Sequence, residues 1–278
     1  MVVRKLIHQF FFDFGDGMVL TDFPQFSRSL KAFRSFPGWQ HKLWTFRECA
    51  DLCAERHPEF YDLFSGLPKI TQLDVSKYMV AQLGGLVADL DVLPCCCDLS
   101  FISSPYVFDF DSRDRKIGND LFYMDPGGLP GILDYFVENW HRKCAIDVFR
   151  TWRLRFVFQT SGPDFFTRYL RQRGLHVHAC VLSTRTFPHD PTRNRIVQHP
   201  LFTIEHRLTW APSLSTQAFL GNFGPRDDSM QRQRREIQHL VTARPRPTHV
   251  GHQHRCPRVS SLLALEAARC SERLAEVS

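Results

Sequence analysis

The chain has 278 residues, of which 43% are hydrophobic and 23% are charged. This composition supports a sizeable core and excludes a chain that is disordered throughout. The formal net charge is +6, but Arg is concentrated after residue 221 and the preceding chain is nearly neutral, which argues against a nucleic-acid-binding domain with a basic stripe.

Apolar runs, turn residues and helix-start signals predict alternating strands and helices in the first third of the chain. Gly84-Gly85 ends the last of these helices and precedes a short β run. The predicted elements are a strand at 2–12, a strand at 39–45, a helix at 47–57, a helix from 68 to about 83 and a strand at 86–92.

The alternation continues to about residue 210. The predicted elements there are a helix at 131–140, a strand at 155–159, a helix at 164–173 and a strand at 177–182. This order is typical of an α/β domain with a mainly parallel central sheet flanked by helices, which binds ligands at the C-terminal ends of its strands. We expect one domain at 1–220, followed at 221–278 by an Arg-, His- and Pro-rich linker that is partly disordered and carries a terminal helix.

The most informative segment is Gly84-Gly85-Leu86-Val87-Ala88-Asp89-Leu90-Asp91-Val92. It places two carboxylates at the end of a buried strand, where one can turn toward a cation while the other reaches a hydroxyl group. Mn²⁺ and Mg²⁺ prefer oxygen ligands and need few protein carboxylates when phosphate oxygens complete the coordination shell. The pair therefore suits a nucleotide diphosphate.

Several segments accompany this pair along the chain. They are Leu6-Ile7-His8-Gln9, His41-Lys42-Leu43-Trp44-Thr45, the residues from Ala54 to Phe60, Gln72-Leu73-Asp74-Val75-Ser76-Lys77-Tyr78, the Gly84 to Val92 segment, Ile117-Gly118-Asn119 with Asp125-Pro126-Gly127, and Thr160-Ser161-Gly162-Pro163. In this order they resemble a family of glycosyltransferases with an Asp-x-Asp motif, which includes fungal mannosyltransferases, animal α-galactosyltransferases and glucosylating clostridial toxins. The resemblance covers roughly residues 4 to 210.

The resemblance implies a GT-A fold, a UDP- or GDP-sugar donor, a Mn²⁺ or Mg²⁺ ion, and hexosyl transfer with retention of anomeric configuration. It makes Asp91 the direct metal ligand, and it makes Asp89 a bridge between the ion and the ribose or sugar. Both aspartates would be ionised at neutral pH beside a bound cation. Glu205-His206 looks like the family's closing segment, so His206 is a further candidate metal ligand, with Glu205 as its competitor.

The resemblance also assigns residues to the donor. Asn119 would hydrogen-bond the transferred sugar and Phe11 would stack on the base, where the family often has Trp. Lys77 stands where the family usually has Arg; it shares a helix face with Asp74, so the two residues could reach the donor together or form a surface ion pair. The remaining donor-binding candidates are the glycines Gly84, Gly85 and Gly162.

Two other functions fit parts of the sequence. A strand ending in Asp89 and Asp91 also fits a haloacid-dehalogenase-like phosphatase, in which one Asp is the nucleophile and the other its general-acid partner. Gly118-Asn119-Asp120 with Asp125 imitates a later acidic motif of such phosphatases. A catalytically inactive donor-binding module is suggested by Lys77, by Val87 where the family commonly has Tyr, and by a segment between Asp74 and Gly84 that is one residue short.

The localisation and the partners follow from what the sequence lacks. It has neither a secretory signal pattern nor an apolar stretch long enough to cross a bilayer, and its nine cysteines form an odd set typical of reduced thiols. We therefore expect a cytoplasmic enzyme that acts on a glycan, lipid or protein acceptor. The arginines of the tail could weakly contact anionic lipid headgroups.

Overall fold

The computed structural model describes residues 3–13, 19–20, 23–96, 98–102, 104–111, 116–145, 153–178, 180–188, 195–199 and 201–206. The helices are α1 (Pro24–Arg34), α2 (Phe46–Arg56), α3 (Pro58–Gly66), α4 (Lys69–Ala81), α5 (Ile132–Ala145), α6 (Arg153–Thr160) and α7 (Pro163–Gln172). The strands are β1 (Leu6–Phe10), β2 (Gln40–Trp44), β3 (Gly85–Ala88), β4 (Val92–Pro94), β5 (Tyr106–Asp111), β6 (Lys116–Met124), β7 (Cys180–Pro188), β8 (Arg195–His199) and β9 (Phe202–His206).

The strands form one mixed sheet in the order β2-β1-β3-β6-β5-β7-β8-β9-β4. Strands β1, β2, β3, β5, β7 and β9 run in one direction, whereas β4, β6 and β8 run in the other. The expected α/β architecture with a mainly parallel central sheet is therefore confirmed, and β6 is the antiparallel strand inserted between β3 and β5.

Helices cover both faces of the sheet. Val87 of β3 packs in one apolar cluster with Val75 of α4 and with side chains of α5 and α7. Leu86 faces the opposite side, where it packs in a second cluster with Phe33 of α1. Because successive residues of a strand point to opposite faces, a fully buried β3 requires apolar side chains at consecutive positions.

Several predicted elements lie within a few residues of the observed ones, including β1, β2, α2, α4, α5 and α7. The strand predicted at 155–159 is wrong, because this segment belongs to helix α6. The strand predicted at 177–182 begins as a short 3-10 turn, and β7 starts at Cys180. Helix α1 and the β5–β6 pair have no counterpart among the predicted elements.

Within the described residues, no helix is long and apolar enough to span a membrane. The expected linker and terminal helix at 221–278 lie outside the described residues, as does the end of the expected domain beyond residue 206.

Candidate active site

The two aspartates of the Asp-x-Asp segment lie in a turn that joins β3 to β4. Strand β3 ends at Ala88, so the strand predicted at 86–92 is too long. The Asp89 N–H donates to the Asp120 carbonyl oxygen at 2.7 Å, and the Val92 N–H donates to the Asp89 carbonyl oxygen at 3.1 Å. The first bond fixes the turn against the middle of β6, at the C-terminal end of β3, and the second closes the turn itself.

Lys77 of α4 is the cation closest to this turn among the described ion pairs. Its Nζ lies 2.7 Å from Asp89 Oδ2 and 3.6 Å from Asp74 Oδ1. The side chains of Lys77 and Asp74 are 4% and 8% exposed, and that of Asp89 is 23% exposed. Asp74 and Lys77 therefore do not form a surface ion pair, because nearly every residue of α4 is buried between the sheet and the neighbouring helices.

Asp74 connects α4 to two other parts of the chain. Its Oδ1 accepts a hydrogen bond from Asn119 Nδ2 at 2.9 Å, and its Oδ2 accepts one from Ser161 Oγ at 2.9 Å. The Asn119 amide also donates to the Tyr78 hydroxyl at 3.4 Å, and that hydroxyl donates to the Ser161 carbonyl oxygen. Asp74 and Asn119 thus form a buried layer beneath Lys77 and Asp89, with both oxygens of Asp74 engaged by the protein.

Lys77 carries one positive charge near several carboxylates, and the pKa values of these carboxylates reflect the shortage of positive charge. Burial raises the pKa of Asp89 to about 7, with Lys77 opposing the rise and Asp120 adding to it. Burial also raises the pKa of Asp91, and the charges of Asp89 and Asp120 raise it further. Burial disfavours the charged form of Lys77, but Asp89 and Asp74 outweigh this effect, so the pKa of Lys77 is raised and it stays protonated.

The excess of carboxylates over cations bears directly on metal binding. Three aspartates, Asp89, Asp91 and Asp120, repel one another at one end of β3, and carboxylate oxygens are the ligands that Mn²⁺ and Mg²⁺ prefer. The described residues contain no group of three or more His, Cys, Asp or Glu side chains arranged to hold an ion. Among these residues, protein side chains alone therefore do not form a complete metal site.

The other donor-binding candidates lie in two places. Phe11 follows β1 at the same edge of the sheet as Asp89 and is half-buried, and Gly162 precedes α7 next to Ser161. Gly84 and Gly85 lie at the opposite end of β3. Both have positive φ, and a Cβ on Gly85 would come within 2.5 Å of the Leu6 carbonyl oxygen, so the structure gives them a conformational role.

The expected closing segment, Glu205-His206, lies at the end of β9. Strand β9 pairs with β4 in antiparallel register, with Val92 opposite Ile204. Continuation of this register by one residue brings Asp91 opposite Glu205, and the backbone of His206 follows. The side chains of both residues lie outside the described part of the structure, so their roles as ligands stay predictions.

Sequence reasoning missed the contribution of Asp120 and Ser161. Asp120 was noted only for its resemblance to a phosphatase motif, although its carbonyl accepts from Asp89 and its charge affects both aspartates of the turn. Ser161 lies 87 residues from Asp74 along the chain. No local sequence pattern connects Ser161 with Asp74. For Asp120, the only sequence signal was its position next to Asn119.

Comparison with known proteins does not assign the chain to a family. No known family and no curated protein matches the sequence. A solved structure described as PaToxG Glycosyltransferase is similar over 63% of this chain and 71% of its own, with a TM-score of 0.39 and 13% identity. A likeness at this level carries no functional argument, so the function is argued from the site itself.

Proposed function

We propose that this protein is a metal-dependent glycosyltransferase, which moves a hexose from a nucleotide-diphosphate donor to an acceptor hydroxyl with retention of anomeric configuration. One observation carries the proposal: the turn after β3 holds Asp89 and Asp91 beside Asp120 of β6, and Lys77, which pairs with Asp89, is the one buried Lys or Arg among the residues that the structure describes. Such a concentration of carboxylates favours a site that takes up a cation together with an anionic ligand.

Asp91 and Asp89 are the residues that would hold Mn²⁺ or Mg²⁺, with His206 or Glu205 of β9 as the additional candidate. A bound divalent ion would stabilise the negative charge that develops on the leaving diphosphate. The bases and sugars of such donors would lie across the C-terminal edge of the sheet, where Phe11 is half-buried and available for stacking.

Lys77 orients Asp89 and favours its ionised form in this proposal. Its charge lowers the pKa of Asp89, opposing the rise caused by burial. The buried hydrogen bonds from Asn119 and Ser161 to Asp74 hold Asp74, and with it Lys77, in place. Asn119 therefore supports the donor site from beneath, and its direct contact with the sugar remains a prediction.

We infer front-face attack for the chemical step. The acceptor oxygen bonds to the anomeric carbon on the face that the diphosphate leaves, the bond from that carbon to the phosphate oxygen breaks, and the hydroxyl proton passes to the departing phosphate. The chain's own residues orient the donor and balance its charge. A glycosylated aspartate or glutamate trapped on the protein would contradict this mechanism.

The phosphatase alternative finds less support in the geometry. It needs a later acidic motif beside Asp89, and the candidate was Gly118-Asn119-Asp120 with Asp125. Asp120 does lie beside Asp89, since its carbonyl oxygen accepts from the Asp89 N–H, but Asp125 does not. In the register of β3 with β6, Ala88 pairs with Leu121 and Gly85 pairs with Met124, so Asp125 lies beyond the opposite end of β3. Its side chain accepts a hydrogen bond from the Tyr123 hydroxyl there.

A panel of UDP- and GDP-sugars, incubated with Mn²⁺ and with glycan, lipid and peptide acceptors, tests the proposal. Release of nucleoside diphosphate by the wild-type protein, and its absence in the Asp91→Asn variant, is the expected result. Hydrolysis of a generic phosphoester without nucleotide would select the phosphatase instead. Nucleotide binding without turnover on any donor would select the inactive donor-binding module.

A further inference from the structure

Gln9 of β1 is fully buried and uses both ends of its side-chain amide. Its Oε1 accepts a hydrogen bond from His41 Nε2 at 3.0 Å. Its Nε2 donates to Ser29 Oγ at 2.9 Å and to the Asp89 carbonyl oxygen at 3.4 Å. Since an amide oxygen only accepts, the His41 bond orients the amide so that its two N–H donors face Ser29 and the Asp89 turn.

Ser29 of α1 completes the link to the other end of the same turn. It is also fully buried, and its Oγ donates to the Val92 carbonyl oxygen at 2.6 Å. The Gln9–Ser29 pair therefore contacts the main chain at Asp89 and at Val92, the two residues that bracket Leu90 and Asp91. The turn's own bond from the Val92 N–H to the Asp89 carbonyl oxygen closes the same segment.

The two hydrogen bonds act on the backbone of the turn and leave its carboxylates untouched. Buried main-chain carbonyl groups need partners. Here the Val92 carbonyl oxygen accepts from Ser29, and the Asp89 carbonyl oxygen accepts from Gln9 in addition to the Val92 N–H. A short turn held at both ends presents its side chains in one orientation, which lowers the entropy lost when a ligand binds. Gln9 and Ser29 thus have the geometry of a support for the Asp89–Asp91 pair.

We propose that Gln9 and Ser29 are positioning residues, which form a clamp that fixes the turn from Asp89 to Val92 for ligand binding. This inference rests on the proposed function, because the clamp is assigned to the binding of Mn²⁺ and a nucleoside diphosphate by that turn.

Gln9→Met tests the clamp, because Met keeps the length and burial of the side chain and removes all three hydrogen bonds. Gln72→Met is the matched control, since Gln72 is a buried glutamine whose Nε2 donates to the Phe64 carbonyl oxygen at 2.9 Å, away from the turn. Ser29→Ala is a second, smaller change that removes the bond to the Val92 carbonyl oxygen and the bond from Gln9 Nε2, and leaves the bond from Gln9 to Asp89 possible. All variants are first compared with the wild type by urea unfolding.

Two measurements separate the clamp from the proposed function. Amide hydrogen exchange of the Val92 N–H, in EDTA and without nucleotide, reports the turn alone. We expect about five- to tenfold faster exchange in Gln9→Met and Ser29→Ala, as follows from the loss of one net hydrogen bond, and no change in Gln72→Met. Titration of UDP and GDP in the presence of Mn²⁺ should then show affinity lowered about tenfold in the two clamp variants.

Equal effects of Gln9→Met and Gln72→Met on both exchange and affinity would overturn the clamp, because the role would then be general packing. If Val92 exchanges faster in the clamp variants but the wild-type protein binds neither nucleotide, the clamp on the turn stands and the proposed function alone is contradicted. Unchanged nucleotide affinity in variants with faster exchange would overturn the assignment of the clamp to binding.

Discussion

Replacement of Lys77 by Met removes the cation that pairs with Asp89 and Asp74 and keeps most of the apolar stem. At an effective dielectric constant of about 20, a charge pair 2.7 Å apart attracts by about 6 kcal/mol before desolvation is counted. The loss of one partner of a buried pair costs about 3–5 kcal/mol, because the remaining charge stays buried. We expect Lys77→Met to lower the free energy of unfolding by up to that amount at pH 8, because loss of Lys77 raises the pKa of Asp89 further above about 7 and uptake of a proton by Asp89 limits the cost.

Lys116→Met supplies the control, since Lys116 Nζ lies at the same distance, 2.7 Å, from Asp164 Oδ1. Their side chains are 37% and 20% exposed, so this pair is screened by water and its loss should cost about 0–1 kcal/mol. Urea unfolding in EDTA measures both variants. The double variant Lys77→Met with Asp89→Asn should recover part of the loss, because it removes a second buried charge. Equal destabilisation by Lys77→Met and Lys116→Met would refute the reasoning.

Three further predictions concern the folded core. Burial lowers the pKa of His8 to about 4, so between pH 6.5 and about 4 the unfolded chain binds a proton that the folded protein excludes, and stability falls as pH falls. Urea unfolding at several pH values should show that His8→Gln reduces this fall by up to about 3 kcal/mol. An unchanged dependence of the free energy of unfolding on pH would contradict this. Gly85→Ala should lower the free energy of unfolding by more than about 2 kcal/mol in thermal or urea unfolding, because φ is +129° and the new Cβ would meet the Leu6 carbonyl oxygen. Gly66→Ala is the control, because no atom lies within 4 Å of its Cβ, and it should be neutral or stabilising. Cys49 is buried, and burial raises the pKa of its thiol to about 12. We therefore expect Cys49 to resist alkylation in the folded protein and to react after unfolding, as measured by peptide mass spectrometry. Rapid labelling of the folded protein at pH 8 would show that Cys49 is not buried.

Local sequence patterns were sufficient for elements whose signals lie within a few residues. Helix α2 begins at a capping box in which Thr45 and Glu48 exchange hydrogen bonds, and Gly84-Gly85 ends the helical segment before β3. The segment Phe156-Val157-Phe158 was wrongly predicted as a strand, because a short apolar run fits a strand or one buried helix face equally well. Helix α1 was missed although Phe26, Leu30 and Phe33 have helical spacing.

The candidate site was predictable only in part, for a related reason. The Asp89–Asp91 pair and the proximity of Asp74 to Lys77 follow from spacing along one strand and one helix. The burial of that pair depends on α4 being enclosed by the sheet, α2, α5 and α6, which no amphipathic pattern in α4 reveals. The contacts of Asp74 with Ser161, and of Gln9 with Ser29, join residues whose adjacency is set by the tertiary fold alone.

Calorimetric titration of UDP and GDP into the wild-type protein and into Asp91→Asn, each with Mn²⁺ and with EDTA, tests the central claim most directly. The account predicts that the wild type binds at least one of the two nucleotides in a Mn²⁺-dependent manner, and that Asp91→Asn lowers this affinity at least about tenfold, because a metal ligand is lost. Identical titration curves for the two proteins with Mn²⁺ present would contradict it.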